Sequence, residues 1–580
     1  MNNLYRTNYC GKVLENDVDK EIRVSGWVEN IRDHGGVIFV DLRDETGTVQ
    51  LVSNDPNMFL HLTKESVLKV DGKVRKRDED DYNPNIATGT VEILVSRLEV
   101  LSKALNVLPF EVKTSHEVSE DIRLKYRYLD LRNKKVHDNI VLRSKVLKYM
   151  RNMMDEMGFT EVQTPIITVS SPEGARDFVI PSRKYHGKFY ALPQAPQIFK
   201  QLLMTSGFDK YYQIAPCFRD EDTRADRTLE FYQLDFEMAF ANEEDVFEVG
   251  EKVFYNVFKE FSDREVSPYP FKRITYKDAM LLYGTDKPDL RNPLLIKDIS
   301  EVFVNSDFKP FRGVTVRAIT VDDIASNSNS WFNDIVDYAK SIGMPGIGYL
   351  SMLEDGTFKG PIDKFLTDED REVLINKCDV KKNSVIFFIA DKDTNKCAKN
   401  AGMIRTYLGN KMDLIDKNRY EFCIITDFPM YEYDEDMGGY VFTHNPFNMP
   451  KGGMEGLSNP NLEEITAIQY DFVCNGNEMA SGAVRNHDIE IMKKAFSLAG
   501  YSEEDVKTRF RSLYTAFQYG APPHAGMAPG IDRIIMLLKN EPNLREVQAF
   551  PIAPNGIDSM MGCPSELTEQ QLRELHIKIR

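Results

Sequence analysis

Two strand-like runs on either side of a charged loop are the feature that most constrains this fold. The runs are residues 211–215 and 231–237, and the loop between them begins with Arg219 and Glu221. In an antiparallel pair, an arginine at the end of one strand can place its planar guanidinium on a phosphate. Glu221 could accept a hydrogen bond from an adenine amino group, and Phe231 could stack on the ring. The alternative is a solvated hairpin loop held by salt bridges.

Two further segments carry groups that suit a nucleotide. Residues 526–533 combine glycines, which permit close backbone approach, with Arg533 in the first turn of an apolar helix. Asp471 and Glu478 bracket the turn at 475–477. Paired carboxylates beside phosphates suit Mg²⁺, which keeps several waters and bridges to substrate oxygens. Structural salt bridging explains the same two carboxylates on spacing alone.

Composition excludes some classes of protein and leaves others open. A chain of 580 residues exceeds one hydrophobic core and predicts roughly two to four domains. Nothing approaches about 18 uninterrupted apolar residues, so we expect a cytoplasmic protein with no membrane partner. The seven cysteines are dispersed without a C-x-x-C pair, which argues against disulfides and structural zinc. The net charge is −17, but basic clusters at 73–77 and 123–135 leave a nucleic-acid partner open.

The N-terminal part reads as a small β-barrel of the OB type. Its strand-like runs are 22–28, 36–42, 48–52 and 91–95. Glycine-containing turns separate them, and one helix-like stretch is predicted at 58–70. Such barrels bind single-stranded nucleic acid by stacking bases on aromatic side chains. Phe39 is therefore either a core residue or a stacking platform.

Helical spacing and a change of character organise the rest of the chain. Apolar residues recur at helical intervals from Val146 to Met157, and Gly158 stands where a C′ glycine belongs. Between about 290 and 420 no cluster resembles a catalytic site. Strand-like pieces at 348–352 and 385–390, with helical patterns around them, predict an inserted α/β domain.

Taken together, these segments resemble the motifs of class II aminoacyl-tRNA synthetases. Motif 1 resembles the helix before Gly158 with the strand to Pro165, motif 2 resembles 218–221 with Phe231, and motif 3 resembles 530–533. Three more runs narrow the resemblance to bacterial-type aspartyl-tRNA synthetases: 124–132, 171–177 and 191–200. The resemblance covers essentially the whole chain.

The resemblance implies an α+β multidomain ligase. The expected parts are an OB-fold anticodon-binding domain (1–107), a hinge (108–135), a first catalytic part (136–288), the inserted α/β domain (289–420) and a second catalytic part (421–580). The implied reaction joins L-aspartate and ATP into aspartyl-adenylate, with Mg²⁺, and transfers aspartate to the 3′ end of a tRNA. The implied assembly is a homodimer, because motif 1 builds a dimer interface in that family.

The resemblance also assigns roles to individual residues. The ATP site would comprise Arg219, Asp220, Glu221, Phe231, Glu478, Gly530, Ile531, Asp532 and Arg533, with Arg219 and Arg533 catalytic. The aspartate site would comprise Glu173, Gln197, Lys200, Arg219, Asp235, His444 and Arg485, and Mg²⁺ would lie on Asp471 and Glu478. A buried arginine left unpaired is costly, so such a pocket would reject neutral asparagine. Three positions depart from the family pattern: Thr228 and Ala195, and Asn445 in place of a second histidine.

The choice of tRNA is expected to depend on the barrel. Arg32, Phe39, Gln50 and Glu92 stand where relatives read the anticodon GUC. His34 matches relatives that also charge tRNA-Asn, whereas Asp80, a second diagnostic position, matches neither residue expected there. The resemblance therefore implies tRNA-Asp and tRNA-Asn as partners, with strict tRNA-Asp specificity as the alternative.

Two rival functions remain, one a related class II ligase and the other a protein of a different functional class. A sister ligase for asparagine or lysine would lack the insertion. A non-catalytic OB-type nucleic-acid binder with a degenerate ligase fold would be expected to lose Arg219, Glu478 and Arg533, which are all present.

Overall fold

The structure is a computed structural model that describes residues 3–35, 37–55, 57–170 and 174–580. The chain separates into two units, Met1–Val118 and Ser119–Arg580. Among the helices in the described ranges, none has the length and apolar character needed to cross a bilayer.

The first unit is a closed five-stranded barrel, as the N-terminal pattern predicts. Its strands are β1 (Glu21–His34), β2 (Val37–Asp44), β3 (Gly47–Val52), β4 (Val67–Lys76) and β5 (Val91–Ser102), with 3₁₀ turns at Cys10–Lys12, Glu15–Asp17, Glu79–Asp81 and Val112–Glu117. The order around the barrel is β1-β2-β3-β5-β4. Among the described residues of the barrel, β3 and β5 are the one pair of strands that run parallel. In β1, Ile22, Val24 and Val28 point into the core and alternate with less buried residues, the period expected of a strand with one buried face.

The helix predicted at 58–70 is wrong. Residues 57–61 form turns and 67–70 belong to β4. Strand pairing explains the difference, because β4 bonds to β1 on one side and β5 on the other. Leu68 and Val70 are fully buried while Lys69 between them is not, so tertiary pairing outweighs local helical spacing.

The second unit contains the remaining elements. Its helices are α1 (Glu120–Lys125), α2 (Arg127–Asp130), α3 (Lys134–Glu156), α4 (Gln197–Thr205), α5 (Glu243–Phe261), α6 (Tyr276–Leu282), α7 (Asn329–Ser341), α8 (Asp368–Lys377), α9 (Thr394–Lys411), α10 (Gly453–Gly456), α11 (Ile489–Leu498), α12 (Glu503–Arg509), α13 (Arg511–Phe517), α14 (Ile531–Lys539) and α15 (Glu569–Glu574), with 3₁₀ turns at Ser300–Phe303, Asp363–Phe365, Leu462–Glu464 and Leu544–Val547. Its strands are β6 (Thr160–Glu161), β7 (Val179–Pro181), β8 (Phe189–Ala191), β9 (Lys210–Phe218), β10 (Glu230–Ala239), β11 (Glu265–Val266), β12 (Lys272–Thr275), β13 (Ile296–Asp298), β14 (Thr315–Val321), β15 (Gly348–Met352), β16 (Phe358–Lys359), β17 (Ser384–Asp391), β18 (Arg419–Tyr420), β19 (Phe422–Thr426), β20 (Tyr431–Asp434), β21 (Gly439–Phe442), β22 (Gln469–Cys474), β23 (Asn477–Val484) and β24 (His524–Pro529).

An eight-stranded sheet in the order β12-β19-β22-β23-β24-β10-β9-β6 forms the centre of this unit. It is antiparallel except at its two edges, where β12 with β19 and β6 with β9 run parallel. Helices α3, α5 and α14 contribute to the apolar core on one face. In β10, Leu234 and Phe236 point into that core, so the alternation of a strand turns Asp235 and Glu237 to the opposite face. Asp235 and Glu237 thus lie on the face of the sheet away from this core.

Helix α3 confirms the predicted apolar stripe. Val146, Met150 and Met154 are buried, and Gly158 has a φ of +82° just beyond the helix end, which glycine adopts without strain. After the barrel, residues of the predicted hinge form α1 and α2. There Arg123 bonds to Asp130 and, at 2.8 Å, to Glu546.

The stretch predicted as an insertion folds around its own sheet. This five-stranded sheet has the order β13-β14-β17-β15-β16 and is antiparallel throughout its pairs. Residues of α7 and α9 join one apolar core and residues of α8 join another. The strands predicted at 348–352 and 385–390 are confirmed as β15 and β17.

Candidate active site and nucleic-acid interface

The predicted antiparallel pair is confirmed as β9 and β10, with Phe218 opposite Glu230. Arg219 follows the end of β9, and its guanidinium carbon lies 4.9 Å from the centre of the Phe231 ring. Its Nε donates to the Gln194 carbonyl at 3.4 Å. A cation on an aromatic face of this kind leaves the other guanidinium nitrogens available to an anion.

Residues from 530–533 and from strand β23 line the same cavity as this hairpin. The backbone N–H of Gly530 donates to the Met479 carbonyl at 2.8 Å. Arg533 Nη1 donates to the Glu478 carbonyl at 2.7 Å and lies 3.6 Å from its Oε1. Together with Arg219 these residues line a cavity of about 340 Å³, which we call the nucleotide cavity.

Of the four remaining residues predicted to bind ATP, two line the nucleotide cavity and two do not. Glu221 and Asp532 line the nucleotide cavity. The Asp532 carboxylate also accepts from the Tyr232 N–H at 3.0 Å. Ile531 is fully buried in the core beneath the sheet. Asp220 is exposed, and its backbone N–H donates to the Arg176 carbonyl at 3.0 Å. The structure thus places Ile531 and Asp220 outside the cavity wall.

A second cavity of about 500 Å³ shares Arg219, His444 and Glu478 with the first; we call it the amino-acid cavity. Its deep wall contains Lys200 and Arg485, which are 2% and 4% exposed. Burying a cation costs roughly several kcal/mol per ion unless a nearby anion compensates for the lost hydration. This wall is therefore expected to contain their counter-ions.

The counter-ions are Asp235 and Glu237, both fully buried on β10. Lys200 Nζ lies 2.7 Å from Asp235 Oδ2 and 3.3 Å from Glu237 Oε2. Arg485 donates from Nε and Nη2 to the two Glu237 oxygens at 2.8 and 3.2 Å. Its Nη1 makes no hydrogen bond to the described residues and is the nitrogen that remains for a ligand.

Burial and ion pairing act in opposite directions on the pKa values of Asp235, Glu237 and Arg485. Burial raises the pKa of Asp235, and Lys200 offsets this only in part. Burial also works to raise the pKa of Glu237, but Arg485 and Lys200 outweigh it and the pKa falls below its ordinary value. For Arg485, burial lowers the pKa and Glu237 more than restores it. The pair of Glu237 and Arg485 is thus stabilised in its ionised form, whereas burial favours the neutral form of Asp235.

Other predicted aspartate-site residues also line the amino-acid cavity. Gln197 and His444 are both in its wall. Asp235 Oδ1 and Gln197 Nε2 are buried and have no hydrogen-bond partner within the described residues. Buried polar groups are normally bonded, so these two atoms indicate a polar ligand. Burial lowers the pKa of His444, which keeps its imidazole neutral at pH 7. Glu173 lies outside the described residues.

The three departures from the family pattern also lie at these cavities. Asn445 and Ala195 line the amino-acid cavity, and Thr228 lines the nucleotide cavity. Thr228 Oγ1 donates to the Glu230 carbonyl at 2.7 Å, and Asn445 Oδ1 accepts from the Phe447 N–H at 2.8 Å. Both side chains are therefore engaged within the protein.

The two carboxylates predicted to hold metal lie on the β22–β23 hairpin. Burial, followed by the charge of Glu478, raises the pKa of Asp471, and its Oδ1 has no hydrogen-bond partner within the described residues. Burial also works to raise the pKa of Glu478, but Arg533 and Lys287 outweigh it and lower the pKa. Hard oxygen donors with an unpaired buried oxygen fit Mg²⁺. The described residues contain no group of three or more metal-binding side chains, so substrate oxygens and water would complete the shell.

Two residues of the site were missed by sequence reasoning. Glu237 could have been found, because it follows Asp235 by two positions and must share its face of β10. Lys287 lies 3.0 Å from Glu478 Oε2, but the two are far apart in the sequence and no pattern connects them.

The barrel has its own cavity, about 610 Å³ in volume, which contains Arg32, Phe39, Gln50 and Glu92. Arg32 Nη2 donates to Gln50 Oε1 at 2.9 Å, and Gln50 Nε2 donates to Glu92 Oε2 at 2.7 Å. The strand register explains the chain of bonds, because Gln50 is directly opposite Glu92. The structure thus brings the four predicted anticodon residues together.

Three basic residues extend this barrel cavity. Arg75, Lys76 and Arg77 line it, and Arg75 Nε donates to Glu92 Oε1 at 2.6 Å. The cluster at 73–77, left open on composition, therefore faces a cavity rather than bulk solvent alone. With Arg32, these residues give four cationic side chains in the wall, against the carboxylates of Asp78, Asp81 and Glu92, and the cationic groups can contact phosphates.

Phe39 lies in the cavity wall and not in the barrel core. Its ring is half-buried, and His34 packs edge-on against it with ring centres 5.8 Å apart. An exposed aromatic face in a basic cavity is the geometry of a base-stacking platform. Asp80 is exposed and is not in this wall, whereas its neighbour Asp81 is.

Residues 119–554 match the family described as tRNA synthetases class II (D, K and N). This chain belongs to that family. Residues 22–101 of the synthetase match the OB-fold nucleic acid binding domain, which confirms the predicted barrel type.

Relatives of the synthetase extend over its full length. It is 50% identical over 588 residues to the "Aspartate--tRNA(Asp/Asn) ligase" of Ehrlichia ruminantium (strain Welgevonden), covering 100% of this chain and 99% of that one. It is also 50% identical over 590 residues to the protein of the same name from Rickettsia canadensis (strain McKiel), covering 99% and 98%.

Solved structures show the same fold at low identity. The asparaginyl-tRNA synthetase of Pyrococcus horikoshii with asparaginyl-adenylate has a TM-score of 0.58 at 19% identity, covering 95% of this chain and 99% of that one. The aspartyl tRNA synthetase of Entamoeba histolytica has a TM-score of 0.56 at 20% identity, covering 94% and 91%. These neighbours support the class II fold predicted for the second unit.

Proposed function

We propose that this class II synthetase is an aspartate–tRNA ligase that charges tRNA-Asp and tRNA-Asn. The observation that carries the proposal is the buried network of Lys200, Asp235, Glu237 and Arg485, in which all but Glu237 line the amino-acid cavity. Full-length relatives named "Aspartate--tRNA(Asp/Asn) ligase" support it. Aspartate matches the cavity because it has one ammonium and two carboxylates.

The first reaction needs positioning rather than a protein nucleophile. The α-carboxylate of aspartate is already ionised at neutral pH and attacks the α-phosphorus of ATP, while pyrophosphate leaves. Arg219, at the junction of the two cavities, can bind both the α-phosphate and the attacking carboxylate. Arg533 and Phe231 would hold the rest of the nucleotide, the ring on Phe231. Catalysis would therefore come from alignment and charge stabilisation.

Asp471 and Glu478 are the residues that would hold Mg²⁺. When bound, the ion would neutralise charge on the phosphate oxygens of ATP. The buried, unpaired Oδ1 of Asp471 supports this role, because a structural carboxylate would normally have its oxygens bonded.

Selection of aspartate would rest on Arg485 Nη1 and Lys200, which face the side-chain carboxylate. Asp235 and Gln197 would bind the α-ammonium and neighbouring groups, with His444 beside them. Asparagine presents a neutral amide, which would leave a buried cation without its charge partner. Aspartate-dependent exchange of pyrophosphate into ATP, measured with asparagine and lysine in parallel, tests this. Exchange driven by asparagine or lysine and not by aspartate would contradict the proposal.

The Arg485→Leu variant tests the pocket directly. We expect it to lose aspartate-dependent exchange and to keep its fold, as measured by circular dichroism. Near-normal exchange would remove Arg485 from the site.

The barrel cavity is the proposed anticodon site. Its basic wall and the half-buried Phe39 ring support binding of unpaired bases, and His34 lies against that ring. Charging of purified tRNA-Asp and tRNA-Asn should proceed at comparable rates. A large preference for tRNA-Asp would establish the strict enzyme instead.

We also propose that the enzyme works as a homodimer. An apolar cavity of about 440 Å³ lies between α3 and the segment 548–552, and Phe550 beside it is 61% exposed. Large exposed apolar side chains at a cavity are typical of an interface. Sedimentation of Phe550→Asp beside the parent protein tests this. A monomeric parent would contradict the homodimer, and an unchanged dimer in the variant would remove Phe550 from its interface. The cysteines are dispersed along the sequence without a C-x-x-C pair, which supports a reducing compartment, and we propose the cytoplasm.

A further inference from the structure

Lys287 is a cation of the nucleotide cavity that no motif of the synthetase accounts for. It stands in the segment between α6 and β13, where the chain enters the insertion. Its Nζ lies 3.0 Å from Glu478 Oε2 and 3.6 Å from Asp286 Oδ2. The ammonium is therefore at the carboxylate that would hold Mg²⁺ and ATP.

Glu478 lies between two cations. Arg533 approaches Oε1 at 3.6 Å, and Lys287 approaches Oε2 at 3.0 Å. When Mg²⁺ binds a carboxylate, the metal takes over its charge, and a lysine that was paired with it needs another anion. The nearest new anion in a loaded site is the triphosphate of ATP.

The segment that follows Lys287 is hydrogen-bonded to α9, the last helix of the insertion. Arg405 on α9 is 1% exposed, and its guanidinium donates to the carbonyls of Leu294 and Asn292 at 2.6 Å and of Asp289 at 3.0 Å. Asn292 Nδ2 in turn donates to the Arg405 carbonyl at 2.9 Å. A buried guanidinium on three carbonyls fixes the path of the backbone just after Lys287.

A close approach on the other side of Lys287 also fixes this path. Gly284 has a φ of +68°, and a Cβ at Gly402 on α9 would lie only 2.6 Å from its carbonyl oxygen. The segment also passes the turn before Glu478, because a Cβ at Gly476 would lie 3.9 Å from the Lys287 carbonyl. Helix α9 therefore holds the backbone on both sides of Lys287 beside the metal-binding hairpin.

We propose that Lys287 binds the β- and γ-phosphates of ATP and carries charge of the departing pyrophosphate, and that the insertion positions it through Arg405. The inference rests on the proposed ligase reaction. In that reaction a carboxylate oxygen of aspartate forms a bond to the α-phosphorus. The bond from the α-phosphorus to the bridging oxygen breaks, and its electron pair leaves with pyrophosphate. Lys287 supplies a fixed positive charge where that negative charge increases.

Lys287→Met removes the ammonium and keeps an unbranched apolar chain. The activity is aspartate-dependent exchange between ATP and pyrophosphate, with each of the three substrates varied separately. We expect the KM for pyrophosphate to rise, and kcat/KM for ATP to fall, by roughly 10- to 150-fold, the range for one charge-assisted hydrogen bond. The KM for aspartate should change by less than about twofold, because the amino-acid cavity keeps its contacts.

Binding measurements separate a role in phosphate binding from one in folding. By calorimetry, Lys287→Met should bind magnesium pyrophosphate more weakly and AMP, which lacks the outer phosphates, as the parent does. Lys287→Arg should recover part of the pyrophosphate affinity. The matched control is Lys451→Met, which removes an exposed lysine paired with Asp427 away from both cavities and should behave as the parent.

A double-mutant cycle tests the role of the insertion. Arg405→Met should raise the KM for pyrophosphate in the parent but have no further effect on it when Lys287 is already methionine. Additive effects would overturn the positioning role of Arg405. Parent-like pyrophosphate affinity in Lys287→Met would overturn the proposal for Lys287. A parent enzyme without aspartate-dependent exchange would instead refute the proposed ligase function.

Discussion

Replacing Glu237 by glutamine removes one negative charge from the buried cluster that holds Lys200 and Arg485 at the amino-acid cavity. The parent carboxylate accepts two hydrogen bonds from Arg485, at 2.8 and 3.2 Å, and lies 3.3 Å from Lys200 Nζ. Glutamine has nearly the same shape and keeps one acceptor oxygen, so the variant loses about one charge-assisted bond. That bond holds the guanidinium in the plane in which Nη1 faces the ligand. The expected effect is therefore on the orientation of Arg485.

One such bond contributes about 1.5 to 3 kcal/mol, and each 1.4 kcal/mol is tenfold in rate (approximately). We expect kcat/KM for aspartate in the exchange assay to fall by roughly 10- to 150-fold. The KM for ATP should stay within about twofold, because Glu237 does not line the nucleotide cavity. The variant should also melt at a lower temperature, since it leaves two buried cations with Asp235 as their one remaining buried anion.

The control for this variant is Glu251→Gln. Glu251 is also buried, and its Oε1 accepts from the Phe271 N–H at 2.8 Å on the opposite side of the sheet. Glutamine can keep that bond, so aspartate kinetics should not change. A lower KM for aspartate in Glu237→Gln would refute this reasoning. It would mean that the extra positive charge of the cluster matters more than the orientation of Arg485.

Three further predictions concern other parts of the molecule. Burial lowers the pKa of His524 to about 4, so as the pH falls the unfolded chain binds a proton at His524 before the folded chain does. Between pH 8 and 5 the parent should therefore lose about 2 kcal/mol of unfolding free energy that His524→Gln does not lose. Urea unfolding measures this difference, and equal losses in the two proteins would contradict the prediction. Phe39→Ala should lower kcat/KM for tRNA charging by roughly 5- to 150-fold, the range for one stacked base, with exchange unchanged; a defect in exchange would place Phe39 elsewhere. Asp471→Asn should lower exchange at least roughly 100-fold at every Mg²⁺ concentration, and recovery at high Mg²⁺ would show that the carboxylate is dispensable.

Much of the fold could be predicted because its signals are local. The antiparallel pair β9–β10 follows from two strand-like runs, and α3 follows from its apolar spacing and Gly158. The helix predicted at 58–70 failed for the opposite reason. Leu68 and Val70 fit a helix locally, but bonds to β1 and β5 make them a strand.

The site shows the same division between local and long-range information. The residue types at Arg219, Glu478, Arg485 and Arg533 were sufficient, through the family resemblance, to predict a nucleotide-dependent ligase. They could not reveal that Glu237 holds Arg485, because the two are 248 positions apart in the chain. Two such residues become neighbours only when β10 and the end of β23 are brought together through β24.

By itself, the sequence determined the class II synthetase family and the N-terminal OB fold, because motifs and strand periods are properties of short segments. The tertiary structure decided which charges are buried and which partners neutralise them. In the folded chain, Asp235 and Glu237 both lie beside Lys200, and Lys287, just before the predicted insertion, lies beside Glu478. The physical reason is that desolvation and ion pairing depend on distance in space, which a chain of 580 residues specifies only when it is folded.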